Sequence, residues 1–158
     1  MLPAFKMSYF EIRLQARYYL AEAMKQPTST AYQVAAYMSI HLRQFDGAIS
    51  LVEKALALDP NDPACHLAVC RALSMAGKPA EGIEHGKIAL RLDPLNPARY
   101  LAYLGLAHFC VGDWEEAVTA AKQALKLNPY YTWAAVGYLA AIYAHQGRDE
   151  EANAVAHK

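Results

Sequence analysis

The stretch KALALDPNDP at Lys54–Pro63 returns twice further along the chain, as IALRLDPLNP at Ile88–Pro97 and as QALKLNPYY at Gln123–Tyr131. The first prolines of the three stretches, Pro60, Pro94 and Pro129, are separated by 34 and 35 residues. A fixed interval of that size is the mark of an array of stacked units. A second mark precedes each proline: Gly77-Lys78-Pro79, Gly112-Asp113-Trp114 and Gly147-Arg148-Asp149 lie 35 residues apart, with Arg43-Gln44-Phe45 in the corresponding earlier place. Each of these divides its repeat in two.

Within the halves, small and apolar residues recur at helical spacing, as in Ala48, Val52, Ala55 and Leu56, or Ala117, Ala121, Ala124 and Leu125. Glycine after a helix accepts the left-handed conformation that ends it, and proline shortly afterwards cannot continue one. Each repeat is therefore helix, tight turn, helix and proline-marked turn, in an all-α chain of about nine helices. Upstream, Ser8 to Gln26 reads as one helix with Ile12, Ala16, Tyr19, Leu20 and Ala23 on one face, stopped by Pro27. The organisation is then a degenerate half-repeat or cap at 1–27, repeats at 29–62, 63–97 and 98–131, and an incomplete repeat at 132–158, in one continuous domain.

Over roughly Thr30 to the carboxyl end, the proline and glycine marks resemble the tetratricopeptide repeat family. That resemblance implies a right-handed superhelical solenoid of antiparallel helix pairs, with small residues where helices cross. Ala36, Cys70 and Gly105 stand at the matching place in the first helices, and Ala48, Gly82, Ala117 and Ala152 in the second. Arg43 departs from the pattern at a turn glycine, while Gly82 and Gly86 fall inside one second helix. Those two glycines soften that helix, at about 1 kcal/mol each, unless Gly86 is there to admit a bulky neighbour.

The resemblance also implies a binding groove lined by the first helix of each repeat. Carried over position by position, its lining is Gln33, Tyr37, Ile40 and His41, then Leu67, Arg71, Ser74 and Met75, then Arg99, Ala102, Leu106 and Phe109, then Ala134, Gly137, Ala141 and His145. An apolar and aromatic lining with two arginines suits an amphipathic helix or extended peptide with one or two acidic groups. Family members that clamp the acidic carboxyl-terminal tail of heat-shock chaperones use Lys, Asn and Arg along these helices. The matching places here include Gln33, Tyr37, Ala68, Arg99 and Tyr103, of which Arg99 alone agrees.

Fifteen basic residues balance fifteen acidic ones among 158, so no positive field favours nucleic acid or anionic lipid. Composition at 55% apolar and 19% charged is that of a globular chain. Asn128 to Gly147 contains no Asp, Glu, Lys or Arg, yet Pro129 cannot sit inside a helix, and Thr132 to His145 extends only about 21 Å against ~30 Å of hydrocarbon. A buried helix is expected, and no membrane insertion. Charges at Lys6, Glu11 and Arg13 interrupt any secretory apolar run. Cys65, Cys70 and Cys110, odd in number and in no C-x-x-C pair, point to free thiols and a cytoplasmic setting.

Chemistry finds little to stand on. His108 and Cys110 are two apart and diverge on a helix, as do the adjacent Cys65 and His66; neither pair builds a zinc site. Glu115-Glu116 and Glu150-Glu151 open helices, where negative charge suits the helix dipole. No phosphate-cradling loop, H-E-x-x-H or G-x-S-x-G occurs. No enzyme activity, cofactor or metal is expected, and the partner is a protein or peptide. Tyrosines concentrate in the last two repeats (Tyr100, Tyr103, Tyr130, Tyr131, Tyr138, Tyr143); most are expected in the core, with Tyr130 and Tyr131 the exceptions in an inter-repeat turn. Three functional settings stay open: an adaptor holding a client segment, a small secretion-type chaperone, and a regulatory array of a larger nucleotide-cyclase or kinase-type protein. The short carboxyl-terminal repeat adds the expectation of a longer chain, or of an open end that packs on a partner or forms a homodimer.

Overall fold

The computed structural model describes residues 8–129 and 132–157. The expectations about Lys6 and about Tyr130 and Tyr131 lie outside those residues. Among the described residues every regular element is a helix: α1 Tyr9–Ala23, α2 Ser29–His41, α3 Phe45–Leu58, α4 Pro63–Met75, α5 Pro79–Leu92, α6 Pro97–Val111, α7 Trp114–Leu127, α8 Thr132–His145 and α9 Asp149–Ala156.

The punctuation works through the backbone. Gly77, Gly112 and Gly147 have φ of 83°, 93° and 72°, and Arg43 holds φ 60° in the same place. After each one the next amide reaches back to close the helix, Gln44 to Ser39, Lys78 to Leu73, Asp113 to His108 and Arg148 to Tyr143, all with N–H···O of 2.9 Å. This is a Schellman closure repeated four times, and it satisfies a carbonyl that the helix end would otherwise leave bare. The later prolines act at the opposite end. Pro63 and Pro97 occupy the first turn of α4 and α6, where a missing N–H costs nothing, and the Asp62 carboxylate caps α4 by accepting from Ala64 N at 2.8 Å.

Helices pack as the pairs α2/α3, α4/α5, α6/α7 and α8/α9, and each second helix packs on the next first helix. First helices also touch one another in succession, α2 to α4, α4 to α6 and α6 to α8, whereas the second helices do not. Contact on one side only bends the stack, so α2, α4, α6 and α8 form its inner face and α3, α5, α7 and α9 its outer one.

Close approach depends on small residues. Ala36, Ala48, Cys70 and Ala117 are fully buried, and side chains that small let helix backbones approach closely. A Cβ on Gly82 would stand 2.8 Å from the Cys70 carbonyl, and one on Gly86 would stand 3.0 Å from Leu104 Cδ1. The two glycines are thus where α5 is pressed against α4 and α6, and the bulky neighbour at Gly86 is Leu104. Gly105 plays the same part for an aromatic ring: a Cβ there would collide with the Tyr138 hydroxyl, which donates to the Ala102 carbonyl at 3.1 Å.

α1 departs from expectation. Its start is well made, with the Ser8 hydroxyl accepting from Glu11 N at 3.2 Å and the Glu11 carboxylate accepting from Ser8 N at 2.7 Å. It ends at Ala23 and not at Gln26. The face predicted from Ile12, Ala16, Tyr19, Leu20 and Ala23 is not buried. Ile12 is 53% and Tyr19 65% exposed, with Leu20 half-buried, because among the described residues α1 meets only α2. At the other end, α8 is 14 residues long, and among the described residues no helix is long and apolar enough to cross a membrane.

Candidate functional site

Between α2, α4 and α6 the inner face opens a cavity of about 330 Å³. α2 contributes Thr30, Gln33, Val34, Ala36, Tyr37 and Ile40; α4 adds Ala64, Leu67, Ala68 and Arg71; α6 closes it with Arg99 and Tyr103. The spacing i, i+3, i+4, i+7 on α2 and α4 sets each row on a single helix face. No Asp or Glu among the described residues lines the cavity.

Arg71 is the centre of the polar arrangement. Its guanidinium lies 4.0 Å from the Tyr37 ring centroid and 5.5 Å from that of Tyr103, and Nη2 is 3.4 Å from His41 Nε2. The Tyr37 and His41 rings meet edge to face at 4.6 Å. Aromatic faces attract a guanidinium and hold it flat, so rings from α2 and α6, on either side of α4, fix one cation in place. Arg99 stands on the first turn of α6, 5.2 Å from the Tyr100 ring.

The floor is tied down by a polar cluster between repeats. Gln33 Nε2 donates to Asp62 Oδ2 at 2.9 Å and lies 3.1 Å from Cys65 Sγ. The Cys65 thiol donates in turn to Asp62 at 3.4 Å. Burial, then the Asp62 carboxylate, push that thiol up to about 11, and burial pushes Cys70 to about 12. Both are protonated at neutral pH, the opposite of an activated nucleophile.

A family profile described as tetratricopeptide repeat matches residues 40–103, and a second with that description matches 98–131. The chain belongs to the tetratricopeptide repeat family. Tetratricopeptide folds also stand among the similar solved structures. The thermophilic tetratricopeptide protein TTC0263 of Thermus thermophilus superposes with a TM-score of 0.75 at 22% identity, covering 86% of this chain and 75% of that one. The first tetratricopeptide domain of human RPAP3 gives 0.66 at 20% identity, covering 78% and 96%. The Sgt2 tetratricopeptide domain of Aspergillus fumigatus gives 0.64 at 23% identity, covering 81% and 83%. No curated protein sequence matches the chain.

Within this tetratricopeptide array the residues carried over from the family fall into two sets. Gln33, Tyr37, Ile40, Leu67, Arg71 and Arg99 line the cavity, and His41 joins it through Arg71. The others lie elsewhere. Ala102 is 1% exposed and packed under Tyr138, and Leu106 and Phe109 pack against the core of the last two repeats, the Phe109 ring 6.0 Å from Tyr138. Ser74 is buried and donates to the Cys70 carbonyl at 2.7 Å. Met75 is exposed beyond the cavity, and His145 meets Trp114 edge to face at 4.5 Å. Thr30 and Val34 join the lining without having been singled out for it, and Ala68 and Tyr103, at places matching the chaperone-tail clamp, join it too. Thr30 and Val34 share the α2 stripe with Tyr37 at i and i+4, a signal present in the sequence.

The repeats also contain a pairing that spacing does not reveal. His66 on α4 and His85 on α5 bring their Nδ1 atoms to 3.0 Å, with His66 Nε2 2.9 Å from the Pro60 carbonyl. A carbonyl only accepts, so His66 carries its proton on Nε2, and His85 donates from Nδ1. Among the described residues no group of three or more His, Cys, Asp and Glu side chains could hold a metal ion.

Proposed function

We propose that this tetratricopeptide array is a scaffold that holds a segment of a partner protein in its concave groove and carries out no catalysis itself. Tetratricopeptide proteins bind protein partners, and the general role of interaction scaffold follows from the fold. The groove reading is supported by one observation above others: the cavity of about 330 Å³ opens on the inner face among Tyr37, Leu67, Arg71 and Arg99, with apolar walls, two arginines and, among the described residues, no carboxylate. Apolar walls supply affinity through burial, and a guanidinium fixes an acidic group in position. The buried, protonated thiols fit a reducing compartment, consistent with a cytoplasmic setting.

Self-association through the carboxyl-terminal end has less behind it. α9 turns Glu150, Asn153 and Ala154 outward, while Ala152 and Val155 are half-buried against α8, so among the described residues α9 offers little apolar surface to a second copy.

An affinity capture from lysate, comparing wild type with Arg71→Glu/Arg99→Glu, tests the groove. Partners retained by wild type are expected to be lost with the folded double variant, and mass spectrometry then names them. Equal retention by both would remove the groove from the mechanism of binding.

A further inference from the structure

The two groove arginines are held in different ways, and the difference defines a ligand. Arg71 is occupied on several sides, by the Tyr37 ring at 4.0 Å, the Tyr103 ring at 5.5 Å and His41 Nε2 at 3.4 Å. It behaves as part of the wall. Arg99 lines this cavity and also a second hollow of about 290 Å³, formed by Leu95 to Ala98 with Leu127 and Asn128.

We propose that the cavity is a specificity pocket for one bulky apolar side chain of the partner, and that the adjoining partner residue is an aspartate or glutamate paired with Arg99. The proposal rests on the groove reading and deepens it. A hollow of about 330 Å³ stands at the small end of the ~300–1,000 Å³ range for ligand pockets. It fits a leucine or phenylalanine side chain and not a whole helix. Val34, Ile40, Leu67 and Ala68 give that side chain apolar walls. Among the described residues the lining has two guanidinium groups and no carboxylate, so charge complementarity selects an anion. Arg99 borders both hollows, so a chain seated in the first has a place to run on beyond the arginine. An internal acidic side chain meets that geometry; a terminal carboxylate, at which the chain stops, leaves the second hollow empty.

Titration of the full chain, followed by amide chemical shifts, tests this with four small probes: acetyl-Leu-Glu-amide, acetyl-Leu-Gln-amide, acetyl-Ala-Glu-amide and acetyl-leucine. The expected result is saturable shifts at Val34, Ala64, Leu67 and Ala68 with acetyl-Leu-Glu-amide. Binding of the glutamine analogue is expected to be roughly 3-fold weaker, the scale of one partly exposed ion pair, and the alanine analogue weaker still. Arg99→Gln should abolish the preference for glutamate over glutamine, whereas Arg71→Gln should weaken both leucine peptides alike. Dispersed amide spectra of each variant establish that it is folded. The proposal is overturned if no probe moves those four amides, if the glutamate preference survives Arg99→Gln, or if acetyl-leucine binds more tightly than acetyl-Leu-Glu-amide. It is equally overturned if dilution without any probe moves the groove amides together with those of Leu14 and Tyr18, for then a second copy of the chain fills the pocket. Failure of the pocket is separable from failure of the groove: silent probes alongside an arginine-dependent captured partner leave the groove reading standing.

Discussion

Arg43 is the one non-glycine residue with positive φ among the described residues, at 60°. It closes α2 with the same 2.9 Å back-reaching hydrogen bond that follows Gly77, Gly112 and Gly147. A side chain in the left-handed region crowds its own carbonyl, at a cost of roughly 1–2 kcal/mol. The Arg43 side chain is exposed, so its removal exposes no core. Arg43→Gly is expected to stabilise the fold by about 1 kcal/mol, part of the relief being offset by the greater freedom of glycine in the unfolded chain. Thermal unfolding should show a midpoint higher by ~2–4 °C; an unchanged or lower midpoint would mean that the arginine is compensated by interactions in the turn.

At the scale of elements, α4 and α5 meet through the His66–His85 hydrogen bond as well as through glycine packing. Burial, then the neighbouring His66, hold His85 below its ordinary value of 6.5, with Glu81 opposing. The unfolded chain therefore binds a proton at that ring before the folded one does. The stability it contributes is present above about pH 6.5 and is lost as pH falls toward the lower folded value. Urea unfolding at pH 7 and at pH 5 should show this loss in wild type and a smaller one in His85→Gln, whose amide still donates toward His66. An identical pH dependence in both proteins would remove the histidine pair from the acid response. Because His66 adjoins Leu67 of the cavity, the same measurement reports on the helix that carries Arg71.

For the whole molecule, the array is a chain of neighbours. Each repeat is stabilised by those that flank it, and the ends have one neighbour fewer. α1 is the extreme, touching α2 alone among the described residues and leaving Ile12, Leu14, Tyr18 and Tyr19 more than half exposed. Amide hydrogen exchange should be fastest in α1, with α4 to α6 protected by a further factor of about 100 or more. Equal protection of α1 and α4 would show that α1 is anchored in solution by contacts beyond α2.

Sequence alone determined the all-α repeat, the places of its turns and the small residues at the helix crossings. Those features are local: a left-handed turn needs glycine, a helix start accepts proline, and a buried stripe recurs at 3.6 residues. The resemblance to the tetratricopeptide family, and not the spacing itself, implied that Tyr37, Leu67, Arg71 and Arg99 share one groove. Tertiary structure decided what depends on unlike residues meeting across the stack. Ala102 and Phe109 occupy groove-type positions in the sequence, yet Tyr138 is folded over Gly105 and the first of them disappears into the core. The His66–His85 pair and the capture of Arg71 between Tyr37 and Tyr103 join helices 19 to 34 residues apart. The apolar periodicity of α1 looked like a buried face because periodicity reports which residues share a side; only the packed neighbours determine whether that side is covered.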